Sequence, residues 1–127
     1  MYKEIIICIA VLIIVISLNV LTQNLTSDSV TKITDELDKL RNFTLQENND
    51  ETYEIINNIL NIWDDEYERL SYYIEHNELE KVKVELVELK ANIEVQQFEE
   101  ATGNIDRAIY LLEHIKQKTE LQVKIIF

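Results

Sequence analysis

The chain has 127 residues with one glycine, no proline and a formal net charge of -12, and its wealth of Ile, Leu, Glu and Asn points to long helices rather than strands. The only charges among the first twenty residues are Lys3 and Glu4, so the acidic excess belongs to residues 21–127. That excess excludes nucleic acid, whose binding needs a basic footprint to release counterions, and it repels anionic lipid headgroups.

The run IIICIAVLIIVISLNVL, Ile5 to Leu21, is almost wholly apolar. With its flanks it makes about 20 residues, or roughly 30 Å of helix, enough to cross a bilayer. A cleaved signal peptide would need a short apolar core and small residues at its cleavage site, whereas Ser17 is followed by Leu18, Asn19, Val20 and Leu21. Residues 1–22 are therefore expected to form an uncleaved transmembrane signal anchor that meets the bilayer through residues 2–21. Lys3 lies on the short side and the next basic residue is Lys32, which favours an N-terminus inside and a domain outside. The Ile, Asn and Lys usage points to a bacterial cell membrane, single-pass, with the domain extracytoplasmic, and the sequons at Asn24 and Asn42 are then coincidental. Cys8, the only cysteine, reads as a small apolar filler in the span, with acylation or an intermolecular bridge as alternatives.

Beyond the span, residues 23–127 read as one acidic helical bundle. After the polar collar TQNLTSDS, Val30, Ile33, Leu37 and Leu40 recur by threes and fours, predicting a helix over 28–45 capped by Asp28 or Ser29, or continuous with the anchor. A turn at QENND, residues 46–50, comes next, with Asn49 or Asp50 as the cap of the second helix. Tyr53, Ile56, Leu60, Trp63, Tyr67, Leu70 and Ile74 predict that helix over 50–74. Ile55, Ile59 and Ile62 widen its apolar face beyond a two-residue seam, which suits a helix touching two neighbours in a bundle. Asp64, Asp65, Glu66 and Glu68 between them match no calcium loop and read as a solvated face.

The step from Ile74 to Leu79 breaks the heptad, and continuing the old phase would bury Asn77 and Lys81. A chain reversal at 75–77 resolves this, with Asn77 as N-cap and Glu80 returning a capping-box bond. Leu79, Val82, Leu86, Leu89 and Ile93 then predict a helix over 78–95. Phe98, Ala101, Ile105, Ala108, Leu112 and Ile115 predict another over 98–117, with Gly103 on its far side. The expected fold class is all-α, an N-terminal transmembrane helix followed by an antiparallel three- to four-helix bundle. Alternating directions bring the C-terminal LQVKIIF back to the lipid, either resting in the interface or packing on the bundle.

Trp63, IEHNELEKVKVELVELK at 74–90 and YLLEHI at 110–115 together resemble a family of small bacterial, clostridial-type proteins, domain of unknown function 4363. The likeness covers nearly the whole chain, although Leu112 stands where the family has isoleucine. It implies an anchored helical bundle, exported, with no assigned activity, and it favours a role beside another membrane protein.

A hairpin about Gln96 would set residue 76 opposite residue 114, the only other histidine. His76, His114 and Glu113 are then the one candidate metal or pH-responsive constellation, although histidines at helix ends more often serve as corners. Tyr72 and Tyr73 near the reversal are candidate interaction residues. No nucleophile with a base, phosphate-binding loop or catalytic carboxylate pair is recognisable, so no catalytic residue, cofactor or enzymatic activity is expected. The reading is a membrane-tethered interaction module that binds another envelope or membrane protein. The alternative is a metal- or pH-responsive element at His76 and His114, and a homo-oligomer formed through the second helix is the competing assembly.

Overall fold

The computed structural model describes residues 1–45 and 49–126, and they form four helices: α1 (Tyr2–Leu45), α2 (Asn49–Leu70), α3 (His76–Glu94) and α4 (Phe98–Ile126). The expected turn at 46–50 falls mostly outside the described residues. Helix α1 is a single rod of 44 residues, about 66 Å long. No proline or glycine interrupts it, so the apolar segment runs directly into the bundle and no separate helix starts at residue 28. Asp28 and Ser29 consequently cap nothing.

The first half of α1 is apolar on every side and none of it is buried, with a best window of mean hydropathy 3.0. From Thr26 onward the character changes: Thr26, Ser29, Val30, Ile33, Leu37 and Leu40 are buried along one stripe. Each helix packs on its sequence neighbours, α4 closes against α1, and the diagonal pairs stay apart. The result is an up-down-up-down four-helix bundle whose first member continues beyond it as the candidate span.

The core is the one that periodicity predicts. Leu79, Val82, Leu86, Leu89 and Ile93 of α3 are all buried, as are Ala101, Ile105, Ala108, Leu112 and Ile115 of α4. They meet Ile56, Ile59, Trp63 and Leu70 of α2 in one cluster.

The heptad break is a real reversal, but it lies upstream of its expected place. Helix α2 stops at Leu70, and residues 71–74 turn before α3 opens at His76. Its N-cap is Glu75, with no side-chain cap bond, while the Glu75 carbonyl accepts from the amides of Glu78 and Leu79. Asn77 therefore lies inside the first turn rather than capping it. The core decides this: Ile74 remains buried after the helix has ended, so the chain turns ahead of Glu75 to keep both Ile74 and Leu79 inside.

At the other end, α3 closes on a left-handed residue. Gln96 has φ 60°, its amide donates to the Ile93 carbonyl, and the Gln97 amide donates to the Asn92 carbonyl. This is the Schellman arrangement, in which glycine is the usual occupant. Helix α4 does not stop near 117 but continues to Ile126. Gly103 lies beneath the Arg107 side chain, whose Nη1 would stand 3.2 Å from an added Cβ.

Candidate functional site

Contacts between helices fix axial levels, and these place every candidate residue. Glu78 pairs with Lys118 and Asn92 with Asn104. Taken with Glu85–Arg107 and Glu88–Asn104, these contacts set residue 76 level with residues 116–120 and residue 114 with residues 78–82. The pairing is thus displaced by two to six residues from the expected one.

His76 and His114 do not meet. His76 Nδ1 lies 2.9 Å from Tyr67 Oη, and its Nε2 is 3.6 Å from Glu80, on the α2–α3 side. His114 lines a groove with Arg41, Asp106 and Glu113 on the α1–α4 side. Among the described residues no group of three or more His, Cys, Asp or Glu side chains is placed to hold a metal ion, so His76, His114 and Glu113 do not form the expected trio.

The other two candidates part company. Tyr73 is only partly exposed, and its hydroxyl lies 2.8 Å from Thr26 Oγ1. Because Thr26 gives its own proton to the Thr22 carbonyl, Tyr73 is the donor. Burial holds the Tyr73 phenol above its ordinary pKa, the Glu66 charge adds to this, and Arg69 opposes it. Tyr72, by contrast, is 85% exposed at the tip of the turn.

Sequence reasoning misses the interior polar groups. Glu66, expected on a solvated face, is 3% exposed and accepts a 2.5 Å hydrogen bond from Ser29. Arg69 adds a second bond at 2.8 Å, and Lys32 approaches at 3.7 Å. A signal is present in the sequence, since Glu66 continues the second stripe of α2 through Ile55, Ile59 and Ile62. Asn104 is likewise buried, accepting from Asn92 and donating to Glu85 and Glu88. These buried groups are satisfied and join neighbouring helices, which is a positioning role for polar side chains in a core.

Near the α2–α3 turn, Lys118 bonds Glu78 at 2.9 Å and lies 3.8 Å from Glu75. The hydrogen bond to Glu78 and the Glu78 charge raise the pKa of its ammonium. A cavity of about 110 Å³ opens between this cluster and Tyr73. A larger groove, about 370 Å³, runs between α3 and α4 over Val84, Tyr110 and Leu111, flanked by Lys81 and Arg107. Arg107 is held there by Glu85, 3.0 Å away. Val84 is about half exposed on this outer face, and Tyr110 is 72% exposed.

The threonine hydroxyls of Thr22, Thr34, Thr102 and Thr119 all donate to the carbonyl four residues back, where they act within their own helices. The α3–α4 groove offers contact area with few polar groups, whereas a larger one of about 760 Å³ between α1 and α2 is lined mainly by Glu, Asn and Lys side chains. A family model described as "Domain of unknown function (DUF4363)" matches residues 20–126. No curated protein and no solved structure matches the chain.

Proposed function

The chain belongs to that family of unknown function, and from this premise we propose that it is a membrane-tethered, non-enzymatic helical module that binds another envelope or membrane protein. The observation that carries the reading is the outer α3–α4 face. Val84 and Tyr110 stay exposed there beside Lys81 and Arg107, on a chain whose net charge is -12. An exposed aromatic set among aliphatic side chains on rigid helices is a suitable anchor for a partner helix. Lys81 and Arg107 favour carboxylates on that partner.

Tethering is supported by α1, whose apolar half is long enough to cross a bilayer and is continuous with a bundle helix. In this reading the anchor is uncleaved, the chain is single-pass in a bacterial cell membrane, and the acidic bundle faces outward.

Affinity capture from detergent-solubilised membranes tests the reading. The intact protein should bring down a specific membrane protein, and a Val84→Glu, Tyr110→Glu variant of unchanged helicity should lose it. Recovery of the intact protein alone, or equal capture by the variant, would overturn the assignment.

A further inference from the structure

Axial levels also say how the bundle meets the bilayer, an inference that rests on the anchor reading above. The Thr26–Tyr73 bond sets the α2–α3 turn level with Thr26. Leu21, the last residue of the apolar run, is five positions earlier in the same unbroken helix, or about 7.5 Å lower along its axis. The headgroup layer on each side of a bilayer is about 5–8 Å thick. The turn therefore reaches down to that layer.

Helix α4 arrives at the same level by a different route. Arg41 of α1 is paired with Asp106 of α4, and the two helices are antiparallel. Twenty residues down from Arg41 is Leu21, and twenty residues on from Asp106 is Ile126, so the α4 terminus comes level with the end of the span. The sequence there, LQVKII, is apolar apart from Gln122 and Lys124.

The far end of the span gives a matching landmark. Tyr2 and Tyr72 are both more than four-fifths exposed, and along the α1 axis Tyr2 and the level of Thr26 are separated by about 36 Å. That separation lies between the hydrocarbon thickness of about 30 Å and the full thickness of about 40–45 Å. Tyrosine is enriched at both interfaces because its ring is apolar and its hydroxyl remains hydrated. Tyr2 and Tyr72 are thus spaced as two halves of an aromatic belt.

We propose that the membrane-near end of the bundle, Tyr72 in the α2–α3 turn together with the C-terminal end of α4, rests in the lipid headgroup layer and holds the bundle upright on its anchor. The occupant is the bilayer that α1 crosses. Its recognition is by ring insertion rather than by charge, since the exposed Glu75 beside Tyr72 would repel anionic headgroups. Zwitterionic lipid is sufficient.

The test uses the full chain in phosphatidylcholine vesicles, with a Trp63→Phe, Tyr72→Trp variant and lipids carrying a quencher just below the headgroup. Flotation with the vesicles is measured on the same samples. Trp at position 72 should be quenched at least twofold, while the wild-type protein, whose only tryptophan is the buried Trp63 higher in the bundle, should be unaffected. Quenching should persist unchanged when a third of the lipid is replaced by an anionic one. A variant that floats but shows an unquenched, acrylamide-accessible tryptophan overturns the resting contact and leaves the anchor standing. Shielding from acrylamide without lipid quenching points to protein at this surface, such as a second copy, and overturns it too. Failure of the wild-type protein to float overturns the anchor and the contact together.

Discussion

Ser29 of α1 donates its hydroxyl proton to the carboxylate of Glu66 on α2, across 2.5 Å in a part of the core where both residues are buried. The bond joins a helix that begins in the candidate membrane span to one that is held only by the bundle. Its removal should be felt strongly, because the carboxylate stays behind. Ser29→Ala is expected to cost about 1.5–3 kcal/mol, the range for a hydrogen bond to a charged group. Glu66→Leu should cost much less or even stabilise, since apolar replacements of buried ionic groups are often tolerated and Ser29 can turn back to its own helix. Thermal unfolding of the full chain in detergent, followed by helical circular dichroism, checks both; equal losses would remove Glu66 from its stated role.

Gln96 holds a left-handed conformation at φ 60°. Gln96→Gly should stabilise the protein by about 1 kcal/mol, the cost that a Cβ imposes there. Gln96→Ala keeps the Cβ and should give no such gain. Their melting temperatures, compared side by side, separate this from any loss of the glutamine side chain.

Trp63 is 1% exposed, and its Nε1 has no hydrogen-bond partner. Its ring packs edge-on against Tyr67 with centroids 6.1 Å apart. Trp63→Phe keeps the aromatic contact and removes an unpaired donor, so the loss should remain below about 1.5 kcal/mol. Leu86→Ala, which only opens a cavity, should lose about 2–5 kcal/mol. Denaturant midpoints that reverse this order would show that the indole N–H is needed.

Alkaline pH should weaken the fold through two groups. The pKa values of Tyr73 and Lys118 are both raised, so the folded chain keeps protons that the unfolded chain has already released. Their contribution is intact below pH about 10, where both states are protonated, and is lost as pH rises through the folded values. Unfolding at pH 7 and pH 11 should show a smaller fall for Tyr73→Phe than for the parent protein. An identical fall would exclude Tyr73 from the linkage.

The separate surroundings of His76 and His114 predict no shared metal. Calorimetric titration with zinc should give the same isotherm for the parent and for a His76→Ala, His114→Ala variant. A tenfold or greater loss of affinity in the variant would restore the metal-responsive alternative.

The sequence by itself determined four things: the helical class, the apolar anchor candidate, the family, and nearly every core position from Val30 to Ile115. These rest on composition and on periodicity of three and four, which are properties of one helix at a time and survive whatever the helix packs against. The tertiary structure decided what depends on two helices together. Glu66 is buried because α1 packs over it, with Ser29 and Lys32 reaching it from that helix and Arg69 joining them from its own. The reversal lies ahead of Asn77 because Ile74 is held in the core, and a favourable cap is worth only about 1 kcal/mol against that burial. His76 and His114 do not meet because His76 faces Tyr67 of α2 while His114 lies beside Arg41 of α1, on the other side of the α3–α4 pair. Which neighbour a surface side chain faces is invisible to periodicity, since the spacing of apolar residues marks the face turned to the core and not the helix that lies on either side of it.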